Sequence, residues 1–411
     1  MSPAAASLGT GSEPRGSEPD RLGDAARRVD VELCGIAEAF DWLKLVTPVD
    51  LEQAWSEFER GGFQHAPRFR YPAIELDLGA LRRRLLELPL LEIQEPVVAA
   101  LLAEKQREVD RQLSLLDLRG TSGFLQVSLD LFGEADESLV QLAGEVVDLL
   151  AAAPTVAAEE PVGANEVLAR ARVELQEYAR RVPDFPQGVE LCDELASGMR
   201  VSHGVLQIAR DLTMRGARLA ALLHHEIGTH VLTFFNGSRQ PLRQFRDGLA
   251  HYETLQEGLG VLAEHLAGGL SPGRMRILAA RVLAVADLVD GHGFVDVFER
   301  LRSRCALAPR LAFSVTLRVF RGGGLTKDAL YLRGLRDVLA WLHKGLEVEP
   351  LFVGKIGLLH LEAVVTMREQ DLLVEPAVLP RYLWNEDGEQ RLAHCRSLDV
   401  LGLVREVAAA T

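Results

Sequence analysis

The segment at residues 222–235, LLHHEIGTHVLTFF, constrains the fold of this chain more than any other stretch. It sets three histidines and a glutamate between apolar residues that repeat with the period of a helix. Because burying an unpaired polar or charged group costs several kcal/mol, a buried helix of this composition needs partners for these side chains. A bound metal ion is one partner that would satisfy several of them at once.

The spacing of the histidines differs from the zinc-peptidase signature H-E-x-x-H, in which they lie one helical turn apart. His225 and His230 are five positions apart, which on a regular helix turns their side chains about 140° away from each other. One inserted residue, a π-bulge, would restore the alignment. Gly228 and Thr229 are weak helix formers within this interval, so we predict a distorted helix near Gly228.

A second pairing also fits the segment, because Glu226 and His230 are four positions apart. That pairing would use Glu226 as a ligand and leave no base beside the metal. In the first pairing His225 and His230 are the ligands, and Glu226 is the predicted general base on a metal-bound water.

A zinc hydrolase needs a third protein ligand and one open position. The next helical stretch, LAHYETLQEGLGVLAEHL, carries Glu253, Glu257 and Glu264 on one face. We predict Glu257 as the third ligand, because Gly258 and Gly260 remove bulk and would let this helix approach the histidines closely. Glu253 and Glu264 are predicted to orient the histidine rings from behind.

These two stretches resemble the QEGLA-motif family, once labelled flavohemoglobin expression-modulating proteins, whose eukaryotic relatives include tubulin tyrosine carboxypeptidases. The residues that carry the resemblance are HHEIGTHVLTFFNGSRQPL and LQEGLGVLAEHLAGGL. The likeness extends through RILAARVLA, FRGGGLTKDALYLRGL and LFVGKIGLLH. The resemblance implies one Zn²⁺ held by His225, His230 and Glu257, with Glu226 as catalytic base. Gly260 stands where the family usually has alanine; we expect no effect on the metal, since this position adjoins no ligand in the sequence.

The resemblance further implies a zinc metallopeptidase, specifically a carboxypeptidase that releases a C-terminal residue. By analogy with the family, that residue is aromatic and tyrosine-like. Such an enzyme must hold the terminal carboxylate of a peptide or protein, most simply with basic side chains. The predicted substrate contacts lie in the glycine-rich segment, residues 318–335, and are Arg321, Lys327 and Tyr331. The alternative is that these are solvated residues of a loop. His203 is a further predicted substrate contact, because an edge strand beside it could pair with an extended substrate. The alternative is that His203 only forms a turn.

Composition excludes some function classes and fits a cytoplasmic protein. The net charge of -14 argues against a nucleic-acid partner. No apolar run reaches the roughly 18 residues of a membrane span, and the first residues lack the features of a signal peptide. The four cysteines are scattered, which argues against a disulfide framework or a thiolate metal site.

The predicted fold class is α+β, predominantly α, and zincin-like, with a small sheet next to the metal helix and helices packed around the cleft. GVELCD, GMRVS and GVLQIA read as the strands of that sheet, and TSGFLQVSLDLFG as another short strand. We expect a disordered tail at residues 1–27, an N-terminal helical region at 28–110 and a catalytic domain at 111–411.

Two other functions remain open from the residues. One is a non-catalytic or regulatory metal-binding protein on the same scaffold, although such a protein would not need Glu226. The other is a carboxylate-bridged di-iron helical protein, which requires Glu-x-x-His pairs on two helices. The sequence contains no such pair.

Overall fold

The structure is a computed structural model that describes residues 22–151, 161–193, 195 and 198–410. Within these residues the chain is mostly helical, with a two-stranded and a three-stranded sheet. Buried apolar side chains from the first helix to the last form one continuous core. The predicted combination of many helices with a small sheet is confirmed.

The helices before the three-stranded sheet make up the first part of the fold. Aspartates begin several of them: the Asp77 side chain accepts the Ala80 N–H at 2.8 Å, and Asp136 accepts the Leu139 N–H at 2.8 Å. These helices are α1 (Asp24–Glu38), α2 (Trp42–Leu45), α3 (Leu51–Arg60), α4 (Leu78–Leu86), α5 (Pro96–Asp117), α6 (Gly123–Phe132), α7 (Glu137–Leu149) and α8 (Ala164–Arg181).

The strand predicted in TSGFLQVSLDLFG is wrong, since this stretch forms helix α6. Its buried residues are Phe124, Val127, Ser128, Leu131 and Phe132, which follow the three- and four-residue spacing of a helix. The alternation that suggested a strand continues for only a few residues, and burial on one helical face decided the outcome.

Two predicted boundaries also differ from the structure. The tail expected at residues 1–27 lies outside the described residues as far as residue 21, but residues 24–27 form the first turn of α1. The predicted boundary between residues 110 and 111 falls inside α5 (Pro96–Asp117). A helix that continues through a boundary cannot serve as the flexible linker that usually separates domains.

The three predicted strands before the metal helix are confirmed. They are β2 (Val189–Cys192), β3 (Met199–Ser202) and β4 (Val205–Ala209), and β4 lies in the centre, parallel to β2 and antiparallel to β3. A separate antiparallel pair joins β1 (Pro161–Gly163) to β5 (Thr213–Arg215). The sheet therefore ends a few residues before the helix that carries the histidines.

That helix, the motif helix, covers residues 219–238 in three continuous parts. They are α9 (Leu219–His225), a π-helical segment (Glu226–Val231) and α10 (Leu232–Ser238). The helices that follow are α11 (Gln244–Asp247), α12 (Glu253–Leu266), α13 (Pro272–Val289), α14 (Phe294–Arg304), α15 (Pro309–Phe320), α16 (Leu330–His343), α17 (Leu361–Glu369), α18 (Glu386–Cys395) and α19 (Val400–Ala409).

Helix α12 is packed between the motif helix and α16, and glycines permit both contacts. A Cβ atom on Gly258 would lie 2.3 Å from the carbonyl carbon of Gly334, so the backbones of α12 and α16 touch there. Gly258 therefore opens the contact with α16, whereas the sequence analysis expected it to face the histidines. Gly260, two residues further along α12, opens the contact with the motif helix, where a Cβ atom would meet the His225 ring.

Candidate metal centre

The π-helical segment brings His225 and His230 to the same side of the motif helix. Their ring centroids are 5.1 Å apart, although a regular helix would separate the side chains by about 140°. The segment contains Gly228 and Thr229, the weak helix formers of the interval. The predicted distortion near Gly228 is confirmed.

Glu257 of α12 completes a group of three side chains, with His225 and His230, that could hold a metal ion. One ligand atom from each residue lies within 4.8 Å of the others, and His225 Nε2 is 3.5 Å from Glu257 Oε2. Two imidazole nitrogens and one carboxylate oxygen are a donor set that zinc accepts while keeping a fourth position open. The residues present thus fit a zinc ion.

Glu264, predicted to orient a histidine ring, is hydrogen-bonded to His225. The His225 Nδ1–H donates to Glu264 Oε1 at 2.9 Å, which directs Nε2 towards Glu257. Arg274 in turn donates to both Glu264 oxygens, at 3.1 and 3.0 Å. Because the Glu264 side chain is fully buried and is hydrogen-bonded to Arg274 as well as to His225, it can hold the His225 ring in one orientation.

The partner of His230 is Gln256, which the sequence analysis missed. Its Oε1 atom lies 3.4 Å from His230 Nδ1 and 2.7 Å from the Thr233 hydroxyl. Glu253, predicted for such a role, instead pairs with Lys327 at 3.3 Å. A glutamine directly before the ligand glutamate was the available signal, but only the helix geometry shows that it reaches the second histidine.

The protein environment shifts the pKa values of the three candidate ligands in different directions. Burial lowers the pKa of His230 to about 4, which favours the neutral imidazole that a metal requires. Burial also opposes the charged form of His225, but the carboxylates of Glu257 and Glu264 raise its pKa to about 10. For Glu257, burial is outweighed by His225 and His230, so its pKa falls to about 2.

Glu226 directly follows His225 on the motif helix and is 8% exposed. Burial raises the pKa of its carboxyl group to about 7. In the described part of the chain no hydrogen bond or ion pair engages this carboxyl group. A carboxylate with a pKa near neutrality and no competing partner is suited to accept and return a proton.

Gly260 contacts a ligand directly, so the expectation drawn from its sequence position is wrong. A Cβ atom on Gly260 would lie 2.5 Å from Cε1 and 2.6 Å from Nε2 of His225. The distance along the chain concealed this contact, because α12 crosses the motif helix at this residue. In this chain the absent methyl group provides the space that the His225 ring occupies.

The predicted substrate residues of the glycine-rich segment lie around the start of α16, with different partners. Lys327 is paired with Glu253, and its ammonium lies 5.6 Å from the Phe132 ring centroid. The Tyr331 ring is flanked by the guanidinium groups of Arg281, at 4.8 Å, and Arg274, at 5.8 Å. Arg321 is buried and donates to the Thr47 hydroxyl at 3.3 Å.

His203 lies in the exposed turn between β3 and β4, with φ +47°. The following strand β4 is central in its sheet, so it is not the edge strand that the sequence analysis expected next to this histidine. The edge strand beside the turn is β3. The turn itself lies over the motif helix, since Gly204 packs against the Phe234 ring.

Lys355 is a further residue near the centre that the sequence analysis did not single out. Its ammonium lies 5.5 Å from the Phe234 ring centroid and 5.8 Å from that of Tyr252. Burial lowers its pKa to about 8, and its charge contributes to the low pKa of His230. The segment LFVGKIGLLH gave no functional signal beyond its likeness to a family.

A family model described as microtubule-associated tyrosine carboxypeptidase matches residues 56–399, more than four-fifths of the chain. The chain belongs to this family. The matched range of the microtubule-associated tyrosine carboxypeptidase family includes the motif helix, α12 and the glycine-rich segment. The expected relation to tyrosine carboxypeptidases is confirmed at this level, and the closer resemblance to the QEGLA-motif group stays a prediction.

Comparisons with solved structures and with curated proteins do not extend the family assignment. One solved structure with some similarity is the crystal structure of a protein described as a lipoprotein from Colwellia psychrerythraea, at 14% identity and TM-score 0.41. The alignment covers 72% of this chain and 66% of that one. No curated protein matches the chain. None of the described helices is both long and apolar enough to cross a membrane.

Proposed function

We propose that this chain is a zinc-dependent metallopeptidase of the carboxypeptidase type, which removes the C-terminal residue of a peptide or protein. The observation that carries the proposal is the convergence of His225, His230 and Glu257, with ligand atoms within 4.8 Å of one another. Beside them is the carboxyl group of Glu226, which no described residue engages. Membership of a family named for a carboxypeptidase supports the same conclusion.

Each residue of the centre has a part in this proposal. When bound, zinc would supply a Lewis acid that acidifies water and polarises the scissile carbonyl group. Glu226 takes the proton of the attacking water and returns it to the departing amine, as its pKa of about 7 permits. Glu264 and Gln256 keep His225 and His230 in the orientation that binding needs.

The proposal also includes residues that would contact the substrate. Arg321, Lys327 and Tyr331 would contact the C-terminal end of the substrate, and His203 stays a prediction at the exposed turn. An aromatic, tyrosine-like residue at the substrate C-terminus is proposed from the family description. We also propose that the sheet and the motif helix form a zincin-like unit, and that the protein acts in the cytoplasm.

Metal analysis combined with a peptide assay tests the proposal. We expect about one zinc per chain in wild type, the same amount in Glu226→Gln, and little zinc in Glu257→Ala, because only the last change removes a ligand. Glu226→Gln should lose peptidase activity by more than about a hundredfold. The measurements are elemental analysis and mass spectrometry of a C-terminally varied peptide library.

Glu253→Gln is the matched control, since Glu253 lies on the same face of α12 but pairs with Lys327. It should keep the zinc. Two equivalents of iron would favour the di-iron alternative, and full activity in Glu226→Gln would contradict the role of the base. Zinc binding in wild type without hydrolysis of any library peptide would favour a non-catalytic metal-binding protein.

A further inference from the structure

Three arginines surround one aspartate beside the metal centre. Arg318 makes two hydrogen bonds to Asp328, at 2.6 and 2.7 Å, and so occupies both carboxylate oxygens. Arg281 Nε lies 3.7 Å from Asp328 Oδ2, which is an ion-pair distance without a hydrogen bond. Arg321 donates to the Thr47 hydroxyl and, among the described residues, has no carboxylate partner within ion-pair distance.

The guanidinium cluster, Arg281, Arg318 and Arg321, therefore has two more positive charges than Asp328 can neutralise. The Nε atoms of Arg281 and Arg321 are buried, and no described residue hydrogen-bonds to them. Burial, together with the charge of Arg318, lowers the pKa of both Arg281 and Arg321 to about 10, so both remain charged at neutral pH.

Buried charges without partners are costly, and guanidinium groups with free donors bind carboxylates through paired hydrogen bonds. Asp328 is 1% exposed, and both its oxygens accept from Arg318. Its single negative charge cannot balance three guanidinium groups. A small anion that reaches Arg281 and Arg321 would give their Nε atoms the hydrogen-bond acceptor that no described residue supplies, and it would offset the excess charge.

The cluster is linked to the metal centre through Tyr331. This ring is flanked by Arg281 of the cluster and by Arg274, which holds Glu264 and through it His225. The charge of Glu257 also contributes to the raised pKa of both Tyr331 and Arg318. The Tyr331 ring therefore lies next to both the cluster and the side chains that hold His225.

We propose that Arg281 and Arg321 form the subsite for the free α-carboxylate of the peptide substrate, with Tyr331 as its wall. Lys327 is not part of this subsite, because Glu253 already neutralises it. The inference rests on the proposed carboxypeptidase function and identifies the residues that select a free C-terminus. Arg281 lies on α13, in the stretch RILAARVLA, which the sequence analysis noted only for its likeness to a family.

The test is a binding measurement that needs no turnover. Isothermal titration of the Glu226→Gln protein compares a blocked peptide with a free C-terminal acid and the same peptide as its amide. We expect the acid to bind at least about tenfold more tightly, and Arg281→Gln or Arg321→Gln to remove most of that preference. Arg300→Gln, an exposed arginine of α14 paired with Asp287, is the matched control and should retain it.

Equal affinity for acid and amide in a protein that hydrolyses peptides would overturn the subsite and leave the peptidase function intact. A preference for the acid in a protein that hydrolyses nothing would support the anion site and contradict the peptidase function. Tighter binding of inorganic phosphate than of the acid peptide would overturn the assignment to a carboxylate.

A stability measurement separates a binding role from a structural one. Arg321→Gln removes an uncompensated buried charge, so its melting temperature without ligand should equal or exceed that of wild type. Asp328→Asn leaves three guanidinium groups without a counter-charge, so it should melt well below wild type. A loss of stability in Arg321→Gln as large as that in Asp328→Asn would assign Arg321 to the fold and overturn the proposal.

Discussion

His225 and His230 lie close together on the motif helix, but the side chains around the two rings differ. His225 lies between two carboxylates, Glu257 and Glu264, at 3.5 and 2.9 Å, whereas His230 faces the uncharged amide of Gln256. The sequence supported the choice of Glu257 and Glu264, which are seven positions apart on one helical face, and the choice of His225 and His230 once a distortion was allowed between them. It could not show Gln256 or the contact of Gly260 with His225, since both depend on how the helices cross.

At this scale we predict that Glu264→Gln weakens zinc binding by about tenfold to a hundredfold, because His225 loses its charged partner. The variant also leaves Arg274 without its buried carboxylate. Competition with a chelating dye measures the affinity. Glu253→Gln on the same helix should stay within about threefold of wild type, and an unchanged affinity in Glu264→Gln would show that Glu264 does not support the metal.

The motif helix shows what the count of residues between two histidines can predict. Five positions do not fit a regular helix, so the spacing required a distortion, and the structure has a π-helical segment at Glu226–Val231. The short alternation in TSGFLQVSLDLFG, in contrast, gave a wrong strand, because burial along α6 outweighed local pattern. The spacing of residues predicts local structure well when particular side chains must meet, as the two histidines must. It predicts poorly when only an apolar alternation supports it.

At the scale of the element we predict that deletion of Gly228 is tolerated. The deletion would turn the π-helical segment into a regular helix, and it would leave the histidines four positions apart with the flanking turns in register. We expect zinc affinity within about tenfold of wild type. Insertion of one alanine after Gly228 is the control for a change of length, and it should abolish binding because the rings separate again.

Elemental analysis and circular dichroism of the two proteins provide the measurement. Loss of zinc and helix in the deletion variant, with zinc retained in the insertion variant, would contradict this account of the π-helical segment.

Across the whole molecule, the first helix is tied to the segment that follows the motif helix. The buried carboxyl group of Asp30 in α1 accepts the backbone N–H groups of Arg243 and Gln244, at 2.7 and 3.2 Å. This contact joins residues more than two hundred positions apart, which no local pattern in the sequence could reveal. Together with the continuous core, it shows that the region predicted as 28–110 packs against the part that holds the metal centre.

We predict a pH-dependent stability from Asp30. Burial raises its pKa from 3.8 to about 6, although the two backbone donors oppose this shift. The folded protein therefore binds the proton more tightly than the unfolded chain, so the contribution of Asp30 to the free energy of unfolding falls as the pH rises from about 4 to about 6. At about 1.4 kcal/mol per pKa unit, the change is roughly 3 kcal/mol.

Urea denaturation of wild type and Asp30→Asn across this pH range measures the effect, because the asparagine cannot titrate. The stability of wild type relative to the variant should decrease with rising pH. A constant difference between the two proteins from pH 4 to 6 would mean that Asp30 titrates equally in the folded and unfolded states.

The central claim is that one zinc ion binds to His225, His230 and Glu257 and keeps a position open. X-ray absorption at the zinc edge of the loaded protein tests it most directly. We predict two imidazole nitrogens at about 2.0–2.1 Å and oxygen ligands at a similar distance, with about four ligands in total. The Glu257→Ala protein should lose this spectrum, and a sulfur ligand at about 2.3 Å or a spectrum without imidazole in wild type would contradict the claim.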